Sequence, residues 1–178
     1  MEGEHVLRLY LLRHAIAEKR DTEKYPDDDR PLTSEGVKKM KKVAKGITRL
    51  GDDFKLIITS PMKRASQTAE ILNKVLKENI EMIVSRQLLP GADPQKITRL
   101  ITKYKELDSL VLVGHEPDFS RFASFLLGLN ESAMMLKKAG LCRIDIPFGK
   151  TRGKGTLIWL LSPAILSMMK GKKSKTDT

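Results

Sequence analysis

Two histidines and two arginines of this 178-residue chain have side chains that suit phosphate chemistry. They are His14, His115, Arg13 and Arg64. An arginine offers a planar fork of N–H donors that matches phosphate oxygens, and it keeps its charge at any working pH. A neutral imidazole is a competent nucleophile that can form a covalent intermediate. Neighbouring guanidiniums disfavour the imidazolium form, so they should keep a nearby histidine neutral. The set therefore indicates phosphoryl transfer, provided that the fold brings the four side chains together.

Three short apolar runs place these side chains at the ends of predicted strands. The runs cover residues 6–12, 56–59 and 110–113. Arg13-His14 ends the first run, Arg64 comes shortly after the second, and His115 follows the third. In open α/β sheets, ligand sites form at the carboxyl ends of the strands. We therefore expect the four side chains to converge on one rim of the sheet if these strands are neighbours.

Segments with helical periodicity alternate with the apolar runs. Thr33 and Asp93-Pro94 are helix start signals, and Gly51 is a stop signal. Two late runs, residues 141–146 and 157–161, are close enough along the chain to form an antiparallel pair. The alternation predicts a three-layer α/β/α domain with a mostly parallel central sheet.

Length and composition predict one soluble domain over residues 1–169, followed by a basic tail over residues 170–178 that we expect to be disordered. The net charge, from 33 Lys and Arg against 22 Asp and Glu, is +11 and favours anionic partners without choosing among them. Cys142 is the only cysteine, which excludes an intrachain disulfide. The polar, acidic start is unlike a signal peptide, and the late apolar stretch is too short to span a bilayer. We expect a cytoplasmic protein without a membrane partner.

Four segments of the sequence together resemble the histidine phosphatase superfamily, the phosphoglycerate-mutase-like group. The segments cover residues 11–15, 30–36, 60–68 and 111–117. The small size and residues 30–33 are similar to SixA-type phosphohistidine phosphatases. The resemblance extends over residues 9–162, and four motifs in the right order are far more specific than a lone Arg-His pair.

The resemblance implies a role for each of the four side chains. His14 would be the nucleophile that becomes phosphorylated, and Arg13 and Arg64 would bind the phosphoryl oxygens, with His115 beside them. Water would then hydrolyse phospho-His14 and release inorganic phosphate. The resemblance implies no metal and no organic cofactor.

The sequence departs from the family pattern at two positions. Ala15 stands where the motif usually has glycine, and Gln87 is the nearest match to a glutamate that serves many relatives as proton donor. Glutamine cannot protonate a leaving alkoxide, and only their proximity along the chain makes Asp21 and Glu116 candidate donors. An alcohol leaving group needs that proton, whereas an imidazole titrates near neutral pH and can leave without a strong dedicated acid. The absence of the glutamate therefore favours phosphohistidine over phosphate esters as the substrate.

Three functions are compatible with these features. The first is a phosphatase for phosphohistidine on proteins, because the chain leaves no room for a cap over the site and its positive charge would assist encounter with acidic phosphoproteins. The second is a phosphatase for small phosphate esters or anhydrides with the same mechanism. The third is a non-catalytic binder of polyanions or nucleic acid, which the low aromatic content of 5% and the lack of a nucleic-acid motif disfavour.

Overall fold

The predicted strands form one six-stranded sheet. The computed structural model describes residues 5–20, 23–104, 106–130, 133–147 and 152–169. Its strands are β1 (Val6–Arg13), β2 (Ile57–Thr59), β3 (Met82–Val84), β4 (Ser109–Gly114), β5 (Leu141–Pro147) and β6 (Thr156–Leu161). The order across the sheet is β3-β2-β4-β1-β5-β6. The first four strands in this order are parallel, and β5 is antiparallel to both β1 and β6. The predicted sheet and its antiparallel late pair are confirmed.

Helices cover both faces of this sheet. They are α1 (Ser34–Ile47), α2 (Lys63–Leu76), α3 (Pro94–Thr102), α4 (Asp118–Leu127) and α5 (Pro163–Met168). The buried side chains of α1, α2 and α5 join one apolar cluster, and those of α3 and α4 join a second cluster on the opposite face. The predicted start signals cap their helices, since Thr33 accepts a hydrogen bond from a backbone N–H of α1 and Asp93 does so for α3. The three-layer α/β/α architecture is therefore confirmed.

The strands β1 and β4 lie at the centre of the sheet and carry the site. All residues of β4 are buried, as are most of β1, because helices cover both faces of parallel strands. The register pairs Arg13 with Gly114 and Thr59 with Val113. The ends of β1, β2 and β4 consequently lie side by side at the same height.

Two short segments shape this end of the sheet. Between β3 and α3 the structure has only a short 3₁₀ helix, Arg86–Leu88, and no larger insertion. The segment between β1 and α1 includes a 3₁₀ helix at Asp27–Asp29. No helix among the described residues has the length and apolar character to cross a bilayer. The predicted tail, residues 170–178, lies outside the described residues, so the boundary at residue 169 stays a prediction.

Candidate active site

The aligned strand ends bring the four predicted side chains into one cleft. A cleft of about 430 Å³ is lined by Arg13, His14, Arg64 and His115, together with residues of the segment after β1. The rings of His14 and His115 lie with their centroids 5.2 Å apart. The four residues that the sequence predicts to converge therefore line the same cleft.

His14 is held as a neutral imidazole with one free nitrogen. Its side chain is 8% exposed, and its Nδ1 lies 2.8 Å from the carbonyl oxygen of Ala15. A carbonyl oxygen only accepts hydrogen bonds, so Nδ1 carries the proton and Nε2 carries the lone pair. The pKa of His14 is lowered to about 4, mainly by burial; the hydrogen bond to the Ala15 carbonyl opposes this shift, and nearby cations such as Arg64 contribute to it. The ring is therefore neutral at pH 7.

Arg64 lies in the first turn of α2 and is only 4% exposed. Its Nη1 donates to the backbone carbonyl of Asp27 at 2.8 Å, and its Nη2 is 3.8 Å from the Asp27 carboxylate. The same carboxylate accepts from Nε and Nη2 of Arg30, at 2.9 and 2.8 Å. Burial lowers the pKa of Arg64, and Asp27 opposes this shift. Asp27 thus orients two arginines at the cleft.

Sequence reasoning gave no role to Asp27 or to Arg30, although both line the cleft. The acidic run 27–29 is typical of a polar loop, and Arg30 belongs to the motif at residues 30–36. The available signal was the position of Arg30 immediately before Pro31 in that motif. Nothing in the sequence showed that Asp27 would reach Arg64.

Arg13 is oriented by the segment that precedes β5. Its Nη1 donates to the carbonyl oxygen of Leu136 at 2.8 Å. Leu136 is in turn fixed by Glu116, whose Oε1 accepts from the Leu136 backbone N–H at 3.1 Å and from Ser120 Oγ at 2.8 Å. Burial lowers the pKa of Arg13, and the charge of Glu116 opposes this shift. Glu116, a candidate proton donor in the sequence, lines the cleft but uses Oε1 as a structural acceptor.

His115 is also buried and neutral. It is 3% exposed, and its Nε2 lies 2.9 Å from Ser60 Oγ. The pKa of His115 is lowered to about 3, mainly by burial, with smaller contributions from the neighbouring His14 and Arg64. The second histidine therefore offers polar ring atoms to the cleft without a charge of its own at neutral pH.

Several buried polar atoms at this site have no hydrogen-bond partner. Among the described residues four such side-chain atoms occur, and three of them are Arg13 Nε, Arg64 Nε and His115 Nδ1. An unsatisfied buried donor costs about 1–3 kcal/mol, so clustering of such atoms in one cleft requires an explanation. A ligand rich in acceptor oxygens would satisfy all three if His115 carries its proton on Nδ1.

The motif at residues 60–68 fixes the loops around the cleft. Thr68 Oγ1 accepts from the backbone N–H of Ala15 at 3.0 Å and donates to the carbonyl of Arg64 at 2.7 Å. Gln67 Oε1 accepts from the backbone N–H of Leu32 at 2.7 Å. Both contacts tie α2 to the segment that follows β1. They also hold Ala15, the departure from glycine, in a buried position.

The remaining candidates for a proton donor differ in their placement. Gln87 donates to the carbonyl of Lys96 at 3.3 Å and is not among the residues that line the cleft. Asp21 lies outside the described residues. Glu18 is a further carboxylate that lines the cleft and that sequence reasoning did not single out.

Fold and geometry define a class of protein. A mostly parallel α/β/α sheet presents two neutral histidines and two arginines, one buried and one half-buried, at the carboxyl ends of its central strands, and three of these residues have a buried nitrogen atom without a partner. Such a site suits covalent phosphoryl transfer through a histidine.

Comparison with known proteins identifies the family. Residues 9–89 match the family model of the histidine phosphatase superfamily (branch 1). An uncharacterized protein of a Picosynechococcus species is 37% identical over 143 residues, which are 76% of this chain and 82% of the relative. The chain belongs to the histidine phosphatase superfamily, as its motifs predicted, and this membership supports phosphatase activity.

Other similar proteins are SixA phosphatases and small-molecule phosphatases. Phosphohistidine phosphatase SixA of Escherichia coli is 23% identical over 170 residues, covering 92% of this chain and 99% of SixA. A structure of the protein histidine phosphatase SixA complexed with tungstate superposes with a TM-score of 0.78, at 21% identity over 88% of this chain and 97% of that one. The α-ribazole phosphatase of Shigella flexneri has a TM-score of 0.68, at 19% identity over 89% of this chain and 98% of that one. At these identities the solved structures establish the shared fold.

Proposed function

We propose that this protein hydrolyses phosphohistidine on proteins through a covalent phosphohistidine at His14. The observation that carries the proposal is the state of His14, a buried neutral imidazole whose Nε2 has a free lone pair. Around it, Arg13, Arg64 and His115 contribute buried nitrogen atoms without partners. A nucleophile and a set of oxyanion donors thus occupy the same cleft.

In the first step, Nε2 of His14 attacks the phosphorus atom of the substrate. The new bond joins Nε2 to phosphorus, and the bond between phosphorus and the substrate imidazole breaks. The electron pair stays on the leaving nitrogen. If the substrate ring is protonated on its other nitrogen, it leaves as neutral imidazole and no separate acid is needed. Phospho-His14 keeps its Nδ1 proton in the hydrogen bond to Ala15, which stabilises the imidazolium.

In the second step, water attacks the phosphorus of phospho-His14. The P–N bond breaks, its electron pair returns to Nε2, and the two protons of water leave with the product as dihydrogen phosphate. His14 regains its neutral state without exchanging the Nδ1 proton. Arg13 and Arg64 hold the phosphoryl oxygens in both steps and stabilise the charge that spreads over them.

Two features of the site favour a protein-bound phosphate. No larger insertion lies between β3 and α3, so the cleft is not covered from that side. The mouth of the cleft is lined by the exposed side chains of Lys19, Arg20 and Lys138. An open, basic mouth suits a phosphate carried on an acidic protein surface. The SixA relative, a phosphohistidine phosphatase by name, supports the same substrate.

A second candidate function is hydrolysis of small phosphate esters or anhydrides by the same two steps. It is favoured by the carboxyl groups of Glu18 and Glu116, which line the cleft and are acids of the type an alcohol leaving group requires. The α-ribazole phosphatase, of similar fold, supports this alternative. A polyanion binder would not need a neutral buried His14 and is the weakest of the three candidates.

The deciding experiment compares the wild type with His14→Ala on a histidine-phosphorylated protein. We expect hydrolysis to fall by about 10³-fold or more, toward the uncatalysed rate, because the nucleophile is lost. Brief incubation of the wild type with phosphoprotein should label His14, as detected by mass spectrometry under alkaline conditions. The matched control is His5→Ala, which removes a histidine that precedes β1 and does not line the cleft.

Two results would speak against the proposal. One is undiminished phosphohistidine hydrolysis by His14→Ala. The other is rapid turnover of sugar phosphates by a wild-type enzyme that leaves phosphohistidine protein untouched, which would establish the small-molecule alternative.

A further inference from the structure

Ser60 is a buried serine that the two catalytic steps do not use. It directly follows β2 and is fully buried. Its Oγ lies 2.9 Å from Nε2 of His115, so the protein engages this nitrogen of the ring. The other ring nitrogen, Nδ1, is buried and has no partner among the described residues. Nδ1 is therefore the ring nitrogen of His115 that is left for a ligand.

The hydrogen-bond contacts of Ser60 determine which nitrogen of His115 carries the proton. Ser60 Oγ accepts from the backbone N–H of Met62 at 3.4 Å, so the hydroxyl hydrogen of Ser60 remains available to His115 Nε2. With that hydrogen donated, the ring proton sits on Nδ1. In the opposite tautomer Nε2–H would donate to Ser60. The serine hydrogen would then have no acceptor among these contacts, and a buried lone pair on Nδ1 would have no donor.

We propose that Ser60 is a positioning residue that fixes His115 as the Nδ1–H tautomer, so that His115 donates a hydrogen bond to the phosphoryl group. The tautomer depends only on the contacts of Ser60 and His115, whereas the hydrogen bond from His115 to a phosphoryl group rests on the proposed function. The opposite tautomer would direct a lone pair at phosphoryl oxygens and repel them. Because burial keeps His115 neutral, the ring has a single N–H proton. The nitrogen that carries this proton determines whether the ring attracts or repels a phosphoryl oxygen.

The two histidines then differ in the nitrogen that the protein occupies. The carbonyl of Ala15 accepts a hydrogen bond from Nδ1 of His14, which leaves the nucleophilic lone pair on Nε2. The hydroxyl of Ser60 donates a hydrogen bond to Nε2 of His115, which leaves Nδ1–H as the donor. Both rings carry the proton on Nδ1, yet one attacks phosphorus and the other binds its oxygens.

A spectroscopic experiment tests the tautomer without any substrate. Two-bond ¹H–¹⁵N correlation spectra of the labelled protein at pH 7 report which ring nitrogen of His115 is protonated. We expect Nδ1–H in the wild type and a shift toward Nε2–H, or a mixture, in Ser60→Ala. The matched control is Ser66→Ala, which removes a hydroxyl that donates to the Ser60 carbonyl at 3.2 Å and does not contact His115. An Nε2–H ring in the wild type, or an unchanged ring in Ser60→Ala, would overturn the proposal.

Titration calorimetry with inorganic phosphate tests the consequence for binding. We expect Ser60→Ala to bind phosphate about tenfold more weakly, because one charge-assisted hydrogen bond is lost. Ser60→Thr keeps the hydroxyl and should stay within about threefold of the wild type, as should Ser66→Ala. Equal losses in Ser60→Ala and Ser66→Ala would show a general loop effect and refute the positioning role. Neither the spectrum nor the phosphate titration involves turnover. Both would therefore still test the role of Ser60 if the protein did not hydrolyse phosphohistidine.

Discussion

Arg13 and Arg64 each donate a hydrogen bond to a backbone carbonyl, which is a neutral acceptor. Nη1 of Arg13 donates to the Leu136 carbonyl, and Nη1 of Arg64 donates to the Asp27 carbonyl. The Asp27 carboxylate is 3.8 Å from Arg64 Nη2 but only 2.9 and 2.8 Å from Nε and Nη2 of Arg30. The carboxylate therefore neutralises more of the charge of Arg30 than of Arg64. The phosphate-binding role thus suits Arg13 and Arg64 better than Arg30.

Glu116 is the residue whose role two substitutions can separate. In Glu116→Gln the amide oxygen can still accept from the Leu136 N–H and from Ser120, so the support of Arg13 persists. We expect its kcat/KM for phosphohistidine protein to stay within about threefold of the wild type. In Glu116→Ala the support is lost and KM should rise by about tenfold, since a hydrogen bond to a buried group contributes about 1–1.5 kcal/mol. Steady-state kinetics of both variants gives the answer, and equal large losses in kcat would indicate a proton donor instead.

At the scale of elements, the sequence predicted the sheet well and the links between loops poorly. The central strands are long apolar runs, so their positions were clear, whereas the apolar run at residues 80–84, which is typical of a strand, forms the short edge strand β3 only at Met82–Val84. Strand ends depend on pairing, and β3 has a single neighbour, β2. The supports of the arginines were not predictable. The acceptor for Arg64 is a backbone carbonyl 37 residues away, and that for Arg13 is one 123 residues away.

The first turn of α1 packs so closely against the segment that follows β1 that a single added methyl group would disturb the contact. A Cβ on Gly36 would lie 2.0 Å from the carbonyl oxygen of Ile16, in the segment that follows His14. We expect Gly36→Ala to lower the free energy of unfolding by about 1–3 kcal/mol, because backbone must shift to admit the methyl group. The same shift should weaken phosphate binding. Urea unfolding and phosphate titration test this prediction, with Lys38→Ala, at an exposed position of the same helix, as control. An unchanged stability would mean that the two segments separate without cost.

At the scale of the whole molecule, the cleft holds two histidines that resist protonation in a chain of net charge +11. Both histidines are buried beside Arg13 and Arg64 and stay neutral in the fold. In the unfolded chain each histidine has an ordinary pKa of about 6.5. Folding therefore excludes two protons that the unfolded chain would bind in mild acid, and this difference links the candidate site to global stability.

The last prediction concerns the stability of the whole domain in mild acid. The folded pKa values of about 4 for His14 and about 3 for His115 lie below the unfolded value, so between pH 6.5 and pH 5 only the unfolded chain takes up these protons. Stability must therefore fall as the pH falls through this window, by about 2 kcal/mol for each histidine at about 1.4 kcal/mol per pH unit. Urea unfolding at several pH values should show this loss in the wild type and a flatter profile in the double variant His14→Gln/His115→Gln, which lacks both titrations. Parallel profiles would mean that the two histidines protonate equally in both states, and that burial does not lower their pKa values below the ordinary value.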